Sequence, residues 1–326
     1  MVSFKELGLC NTKKMFEIAL NKHFAVPGYN VSNLEQFQAT LIGCGETNSP
    51  LILQINPTSL QYTNQIILTH LIKGCIEMVN DLGYDIPIAL HLDHGNSLEL
   101  CISCIESGFS SVMIDGSHLD YEENIQLTKQ VVEYAKKKNV SVEAELGIVG
   151  RPDKKELRTP LQFTDPDKAK QFIKQSGCDS LAIAIGTSHG AYKFKVEKVS
   201  DVPELRFDIL QEIRKKIGRF PLVLHGASSI LQEFIEIINL NGGSIKQAFG
   251  VPEDQLRKAA HFGICKINIA TDNRLLFTAM IRKYFNDHPE HFDPRQYLGF
   301  ARDAIIAAVK RKNIEVLGSA KKSQYF

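Results

Sequence analysis

Residues 87–95, PIALHLDHG, hold a short apolar run that ends abruptly in an acid, an imidazole and a glycine. Seven other stretches have the same form: 25-AVPGYNV-31, 50-PLILQINPT-58, 110-SSVMIDGS-117, 140-VSVEAELG-147, 180-SLAIAIGT-187, 220-FPLVLHGASS-229 and 264-ICKINIAT-271. Each is too short for a core helix and too continuously apolar for a strand with one wet face. Such runs read as strands of a parallel sheet covered on its outside by helices. Amphipathic segments lie between them, among them Asn64 to Leu82, Tyr121 to Lys138 and Asp165 to Ser176. Asp165-Pro166 has the form of a helix entry, a capping carboxylate followed by proline in the first turn. Eight strand–helix units in about 250 residues predict an α/β fold of the (β/α)8 TIM-barrel type. An open doubly wound sheet is the rival, but it usually has fewer strands. No linker or composition break divides the chain, so one domain over residues 1–326 is expected, with a C-terminal helical extension from about residue 284.

The composition is that of an ordinary globular protein: 44% hydrophobic, 23% charged, formal net charge +1. That balance gives no basic excess for nucleic acid. No apolar run is long enough to span a membrane, and the first residues, MVSFKELGLCNTKKMF, lack the apolar core of a secretory signal. The odd number of cysteines, 7, scattered through apolar segments suits buried reduced thiols, and hence a cytoplasmic location, better than a disulfide framework.

In a barrel of this kind the chemistry collects at the C-terminal ends of the strands. The polar residues here do the same: Asp93-His94, Asp115 and Ser117, Glu143 and Glu145, Thr187 and His189, His225, and Asn268, Thr271 and Asp272. Three histidines (94, 189 and 225) at matching strand ends form a candidate metal set, because neutral imidazoles leave a zinc ion its full charge and an open position. Such an ion can act as a Lewis acid on a carbonyl. Ser188-His189-Gly190 and His225-Gly226-Ala227-Ser228 also place small residues where backbone amides can approach an anion, with Lys193 nearby as a point charge. A carbonyl-polarising metal beside a phosphate pocket suggests a phosphorylated keto-sugar.

The stretches LHLDHG, MIDGSH, EAELG, GTSHGAYK, LHGASS and CKINIATD resemble class II fructose-bisphosphate aldolases, the zinc-dependent kind. The resemblance extends from AVPGYNVSN near the N-terminus to FDPRQYLGFARDAI near the C-terminus. It implies a lyase of glycolysis and gluconeogenesis that cleaves fructose 1,6-bisphosphate to dihydroxyacetone phosphate and glyceraldehyde 3-phosphate through a metal-stabilised enediolate. By position it assigns His94, His189 and His225 to zinc, and Glu145 to a second, resting zinc position. Asp93 would be the acid/base at the C4 hydroxyl, and Asn268 would stabilise the enediolate. Gly190, Gly226, Ser228 and Thr271 would cradle the C1 phosphate beside Lys193. Arg274 and Arg295 would meet the distal phosphate, Arg295 from across a dimer interface. The resemblance further implies a homodimer or homotetramer and a monovalent cation, Na+ or K+, near the phosphate.

The chain departs from the family pattern at three places. In the loop 147-GIVGRPDKKELRTP-160, Asp153 stands where the family base is usually glutamate, with Glu156 as a substitute. Ala270 stands where fructose-specific members usually carry aspartate, and tagatose 1,6-bisphosphate aldolases share that alanine, so tagatose bisphosphate is the alternative substrate. Asn56 replaces a serine that usually contacts the distal phosphate. A catalytically silent sugar-phosphate binder is the reading of another class, and a Schiff-base aldolase lacks an evident strand-end lysine. Cys101 and Cys104 are expected as core thiols, His91 as a packing group rather than a ligand, His118 as a supporting or solvent-facing group, and Lys266 as a non-nucleophile. Lys136 to Lys138 should close a helix in water, and the aliphatic stripe from Ala301 to Val309 should be core or dimer contact.

Overall fold

A computed structural model describes residues 2–150, 162–194 and 196–326. The chain runs α1 (Thr12–Lys22), β1 (Val26–Asn30), α2 (Leu34–Glu46), β2 (Leu51–Ile55), α3 (Pro57–Thr63), α4 (Gln65–Asp81), β3 (Ile88–Gly95) and α5 (Leu98–Glu106). It continues with β4 (Ser111–Ile114), α6 (Tyr121–Lys137), β5 (Ser141–Leu146), α7 (Pro166–Ser176), β6 (Ser180–Ile183), α8 (Phe207–Ile217) and β7 (Leu222–Leu224). Then come α9 (Gln232–Leu240), α10 (Glu253–His261), β8 (Ile264–Ile269), α11 (Thr271–Asp287), α12 (Pro294–Arg311) and a π-helical turn, Lys312–Leu317. The strands close in chain order into a barrel, β8 pairing in parallel with β1. The expected (β/α)8 barrel is the observed one.

The strands are shorter than the apolar runs that predict them. The seventh run covers ten residues, yet β7 is only Leu222–Leu224, because Gly226 turns into the left-handed region at φ +62° and breaks the ladder. Gly186, at φ +116°, does the same after β6. Helix entries follow the expected chemistry: the Asp165 carboxylate accepts from the Asp167 and Lys168 amides at 2.8 and 3.1 Å, with Pro166 at the first helical position. At the other end Gly177, at φ +70°, closes α7.

The outward faces of the strands bury valine, leucine and isoleucine against the helices in one continuous core. A second cluster closes the N-terminal mouth, where Met15, Phe16 and Ala19 of α1 pack with Phe24 on Val26, Ile52, Ala89 and Cys265 at the strand starts. All seven cysteines are free, and six are buried. Burial pushes the Cys104 thiol up to about 12 and Cys101 higher still, as expected of inert core thiols. On α12 the stripe Ala301, Ile305 and Val309 is buried, and α12 lies so close to α2 that a Cβ on Gly43 would meet Val309 Cγ1 at 2.7 Å. The lysine run at the end of α6 reaches solvent, with Lys138 also pairing to Glu106 at 3.2 Å. No helix among the described residues is long and apolar enough to cross a membrane.

Candidate active site

Side chains alternate along a strand, so residues two apart share a face. Along β3, β5 and β8 one face is polar: His91 and Asp93, Glu143 and Glu145, Lys266 and Asn268, all buried. These residues point into the barrel, while their aliphatic neighbours face the helices. Asn30 and Gln54 belong to the same inner layer, since Gln54 Nε2 donates to Asn30 Oδ1 at 3.0 Å and Asn30 Nδ2 donates to Asp93 Oδ2 at 2.7 Å.

Asp93 is held from two sides, for Asn268 Nδ2 donates to its other oxygen at 3.0 Å. Burial alone would push its carboxyl up, but His94, His225, Lys266 and the Asn30 hydrogen bond overcome this and hold it below the ordinary carboxylate range. It is therefore an ionised acceptor, fixed in place, 4.0 Å from His94 Nε2.

His94 and His225 meet at the mouth with Nε2 of the first 2.9 Å from Nδ1 of the second. The outer nitrogen of each ring is taken by a carboxylate: His94 Nδ1 lies 2.7 Å from Asp115 Oδ2, and His225 Nε2 lies 2.7 Å from Glu143 Oε1. Carboxylates accept, so these outer nitrogens carry the protons and the facing nitrogens present lone pairs. Two lone pairs at that separation repel unless a cation or a proton lies between them. Burial would lower His94, yet Asp93, Asp115 and Glu145 raise it to about 9, whereas burial and the charge of His94 lower His225. His189 lies with its ring centroid 4.8 Å from that of His94. Ligand atoms of His94, Glu145, His189 and His225 all fall within 4.8 Å of one another. Three imidazoles and a carboxylate, two of the rings oriented by further carboxylates, form a donor set that fits a borderline divalent metal such as zinc.

Beneath this cluster Lys266 Nζ lies 2.8 Å from Glu143 Oε2 and 3.2 Å from His91 Nε2, while His91 Nδ1 meets Ser111 Oγ at 2.8 Å. Burial and Lys266 press His91 down to about 3, so it stays neutral. Burial would raise Glu143, but Lys266 and His225 hold it well below its ordinary range. Lys266 thus keeps Glu143 charged for His225 and is itself engaged, in keeping with its expected non-nucleophilic role.

A cavity of about 630 Å³ opens above the cluster. It is lined by Asn56, Asp93, His94, Glu145, His189, Gly190, Lys193, Gly226, Ser228, Asn268, Thr271 and Arg274. On one side Ser228 Oγ accepts from the Ala270 and Thr271 amides at 3.3 and 3.1 Å, joining the loop after β7 to the N-terminus of α11. Gly226 packs so tightly that a Cβ would lie 2.7 Å from the Ser188 backbone. Lys193 is buried and donates to the Ser188 carbonyl. Asn56 spends its carbonyl oxygen on capping α3, accepting from Ser59 N at 2.8 Å, so only its amide nitrogen is left for the cavity. Ala270 lines the cavity, and His118 sits exposed at its rim.

One expected residue among the described ones is not brought to this cavity. Arg295 projects from the first turn of α12 with its side chain 90% exposed and paired to Asp293. Asp153, like Glu156, lies outside the described residues. Sequence reasoning placed Asp115 and Glu143 at strand ends without giving them partners, and left Asn30 and Gln54 unremarked. The period-two pattern that put His91 and Asp93 on one face was the signal for Glu143.

The family model for class II fructose-bisphosphate aldolase matches residues 10–322. A fructose-bisphosphate aldolase of Treponema pallidum is 50% identical over 329 residues, covering 98% of this chain and 99% of that protein. One from Giardia intestinalis is 44% identical, covering 96% of this chain and 94% of that protein. Among solved structures, the YdjI aldolase of Escherichia coli K12 superposes with a TM-score of 0.75 at 27% identity, covering 97% of this chain and 99% of that one. The chain belongs to the class II fructose-bisphosphate aldolase family.

Proposed function

We propose that this aldolase cleaves fructose 1,6-bisphosphate reversibly to dihydroxyacetone phosphate and glyceraldehyde 3-phosphate, with zinc held by His94, His189 and His225 and with Glu145 as an alternative ligand. The observation that carries the reading is the approach of His94 Nε2 to His225 Nδ1 at 2.9 Å, each ring backed by its own carboxylate, beside an ionised Asp93. Bound there, zinc would supply Lewis acidity toward the substrate ketone. Asp93, fixed by Asn30 and Asn268, takes the C4 hydroxyl proton as the C3–C4 bond breaks and returns it in the condensation direction. Asn268, whose Nδ2 donates to Asp93 Oδ1 at 3.0 Å, keeps that amide nitrogen at the reacting carbons, where it donates to the enediolate oxygens.

Ser228, Gly226, Gly190 and Thr271 with Lys193 receive the C1 phosphate, supported by backbone amides at a helix N-terminus. Arg274 takes the distal phosphate, with Asn56 as a donor. Arg295, exposed on the outside of the chain beside the 90% exposed Phe292, serves the cavity of a neighbouring subunit in a homodimer or homotetramer. The free buried thiols support a reducing compartment, the cytoplasm.

Tagatose 1,6-bisphosphate is the second reading, favoured by the methyl side chain of Ala270 on the cavity wall. The test is triose-phosphate release from each ketose bisphosphate, with and without chelator. Fructose cleavage lost to chelator and regained with Zn2+ supports the proposal. Faster tagatose cleavage turns the substrate assignment, and chelator-resistant cleavage removes the metal reading.

A further inference from the structure

Lys312 is buried at the start of the C-terminal π-helical turn and lines no part of the main cavity. Its Nζ lies 2.6 Å from Asp272 Oδ2, 3.2 Å from Ser229 Oγ and 3.3 Å from Glu253 Oε1. Asp272, in the first turn of α11, passes the contact on: Oδ1 accepts from the Ile230 amide at 2.8 Å and Oδ2 from the Ser229 amide at 3.1 Å. Ile230 is a β-branched residue at φ +52°, a conformation that persists only where its surroundings impose it. The same loop is stitched to α11 on its other side by Ser228 Oγ and the Ala270 and Thr271 amides. From behind, Gly250 presses on the loop, where a Cβ would stand 2.3 Å from the Ser228 carbonyl.

A buried lysine–carboxylate pair is poor value for stability alone, since apolar residues of the same volume avoid the desolvation cost. Its geometry is directional, however, and here it is spent on two consecutive amides of one loop. A π-turn, a form that recurs at functional sites, puts the lysine there. We propose that Lys312 is a positioning residue for the phosphate pocket: acting through Asp272, it fixes Ser229 and Ile230 and so sets Ser228 and Gly226 against the N-terminus of α11. The C-terminal segment thereby tunes affinity for the ketose 1-phosphate from outside the cavity. This rests on the reading that Ser228 and its neighbours hold that phosphate.

The experiment is steady-state cleavage of fructose 1,6-bisphosphate by metal-loaded enzyme, with inorganic phosphate as competitive inhibitor. The variants are Lys312→Met, Lys312→Met/Asp272→Asn and Ser228→Ala. Loss of one directional contact in a pocket that binds ground and transition states alike raises KM and the phosphate Ki together, by about tenfold, while kcat falls less than threefold. Lys312→Met leaves Asp272 buried and unpaired; if it does not fold, the double variant, which removes both charges, gives the reading. KM and Ki within twofold of the parent in the folded double variant overturn the proposal, as does a fall in kcat with KM unchanged. Failure of both variants to fold assigns the pair to stability and also overturns it. Ser228→Ala separates the two layers: if it leaves KM and Ki unchanged the phosphate-pocket reading fails, and if it raises both while the Lys312 variants do not, only the positioning role fails.

Discussion

Replacing Asp115 with asparagine changes one atom and keeps the volume, yet it should weaken the metal site by one to two orders of magnitude. Asp115 accepts hydrogen bonds at both oxygens: Oδ2 faces His94 Nδ1 at 2.7 Å, and Oδ1 takes the Ser117 hydroxyl at 2.7 Å and the Ser117 amide at 3.2 Å. A carboxylate serves donors on both sides, but an amide has one acceptor oxygen. If that oxygen turns to Ser117, the NH2 faces His94 and forces the proton from Nδ1 to Nε2, the nitrogen that must offer a lone pair to the metal. If it turns to His94, the NH2 meets the Ser117 N–H, and His94 loses the partner charge that makes it a strong ligand.

Either way the loss falls on ligand orientation and basicity, for which outer partners of metal-bound histidines are worth about 10–100-fold in affinity, roughly 1.4–2.7 kcal/mol. Competition against a chromogenic chelator measures it directly: the zinc Kd should rise by that factor, and cleavage at saturating metal should recover most of its rate. An unchanged Kd would show that Asp115 does not set the His94 tautomer. An irrecoverable rate at full occupancy would show that it does something other than hold the ligand.

Asp93→Ala should abolish cleavage while zinc stays bound, because the carboxylate is anchored to Asn30 and Asn268 rather than to the ligand cluster; metal analysis beside the rate assay decides it. Ala270→Asp should raise the fructose-to-tagatose ratio of kcat/KM, and an unchanged ratio would remove Ala270 as the determinant. Gly43→Ala puts a Cβ 2.7 Å from Val309 Cγ1 and 3.2 Å from the Ile306 carbonyl, an overpacking of about 1–3 kcal/mol against up to about 1 kcal/mol of gained helix propensity. Calorimetry should therefore find a lowered Tm. For Asp272, burial raises the carboxyl but Lys312 and the two loop amides hold it below its ordinary value, so its contribution to stability is present at neutral pH and lost as pH falls through the depressed folded value. Acid unfolding followed by circular dichroism should begin at higher pH in the parent than in Lys312→Met/Asp272→Asn, relative to each protein's stability at pH 7.

The barrel was legible because each strand carries its own signal, a short apolar run with a polar end, and needs no knowledge of its neighbours. The clustered histidines were legible for the same reason. What the sequence hid depends on closure. Glu143 lies on β5 and His225 directly after β7, strands that are not adjacent, and they meet only because the inner faces of a closed barrel converge. Asn30 and Gln54 read as interruptions of apolar strands until Asn30 is seen to donate to Asp93 and Gln54 to Asn30. Lys312 and Asp272 are forty residues apart, and nothing local marks either as buried. The seventh run overstated its strand because apolar character continues past Gly226, where the backbone leaves the ladder.

One backbone irregularity makes the centre possible. In a regular strand Asp93 and His94, being consecutive, would point to opposite faces, one into the barrel and one into the helices. Instead the pairing of β3 with β4 shifts between Leu92 and Gly95, and His94 takes φ +54°. A bulge of this kind re-aims a side chain, and here it turns the imidazole back over the mouth, beside the carboxylate that precedes it. A Cβ on the residue after it would stand 2.5 Å from the Met113 carbonyl oxygen, so position 95 holds glycine. The His94-Gly95 pair is thus a backbone requirement as well as a chemical one. On the proposed mechanism it lets adjacent residues divide the work, Asp93 held by two amides for proton transfer and His94 held by Asp115 to face the metal.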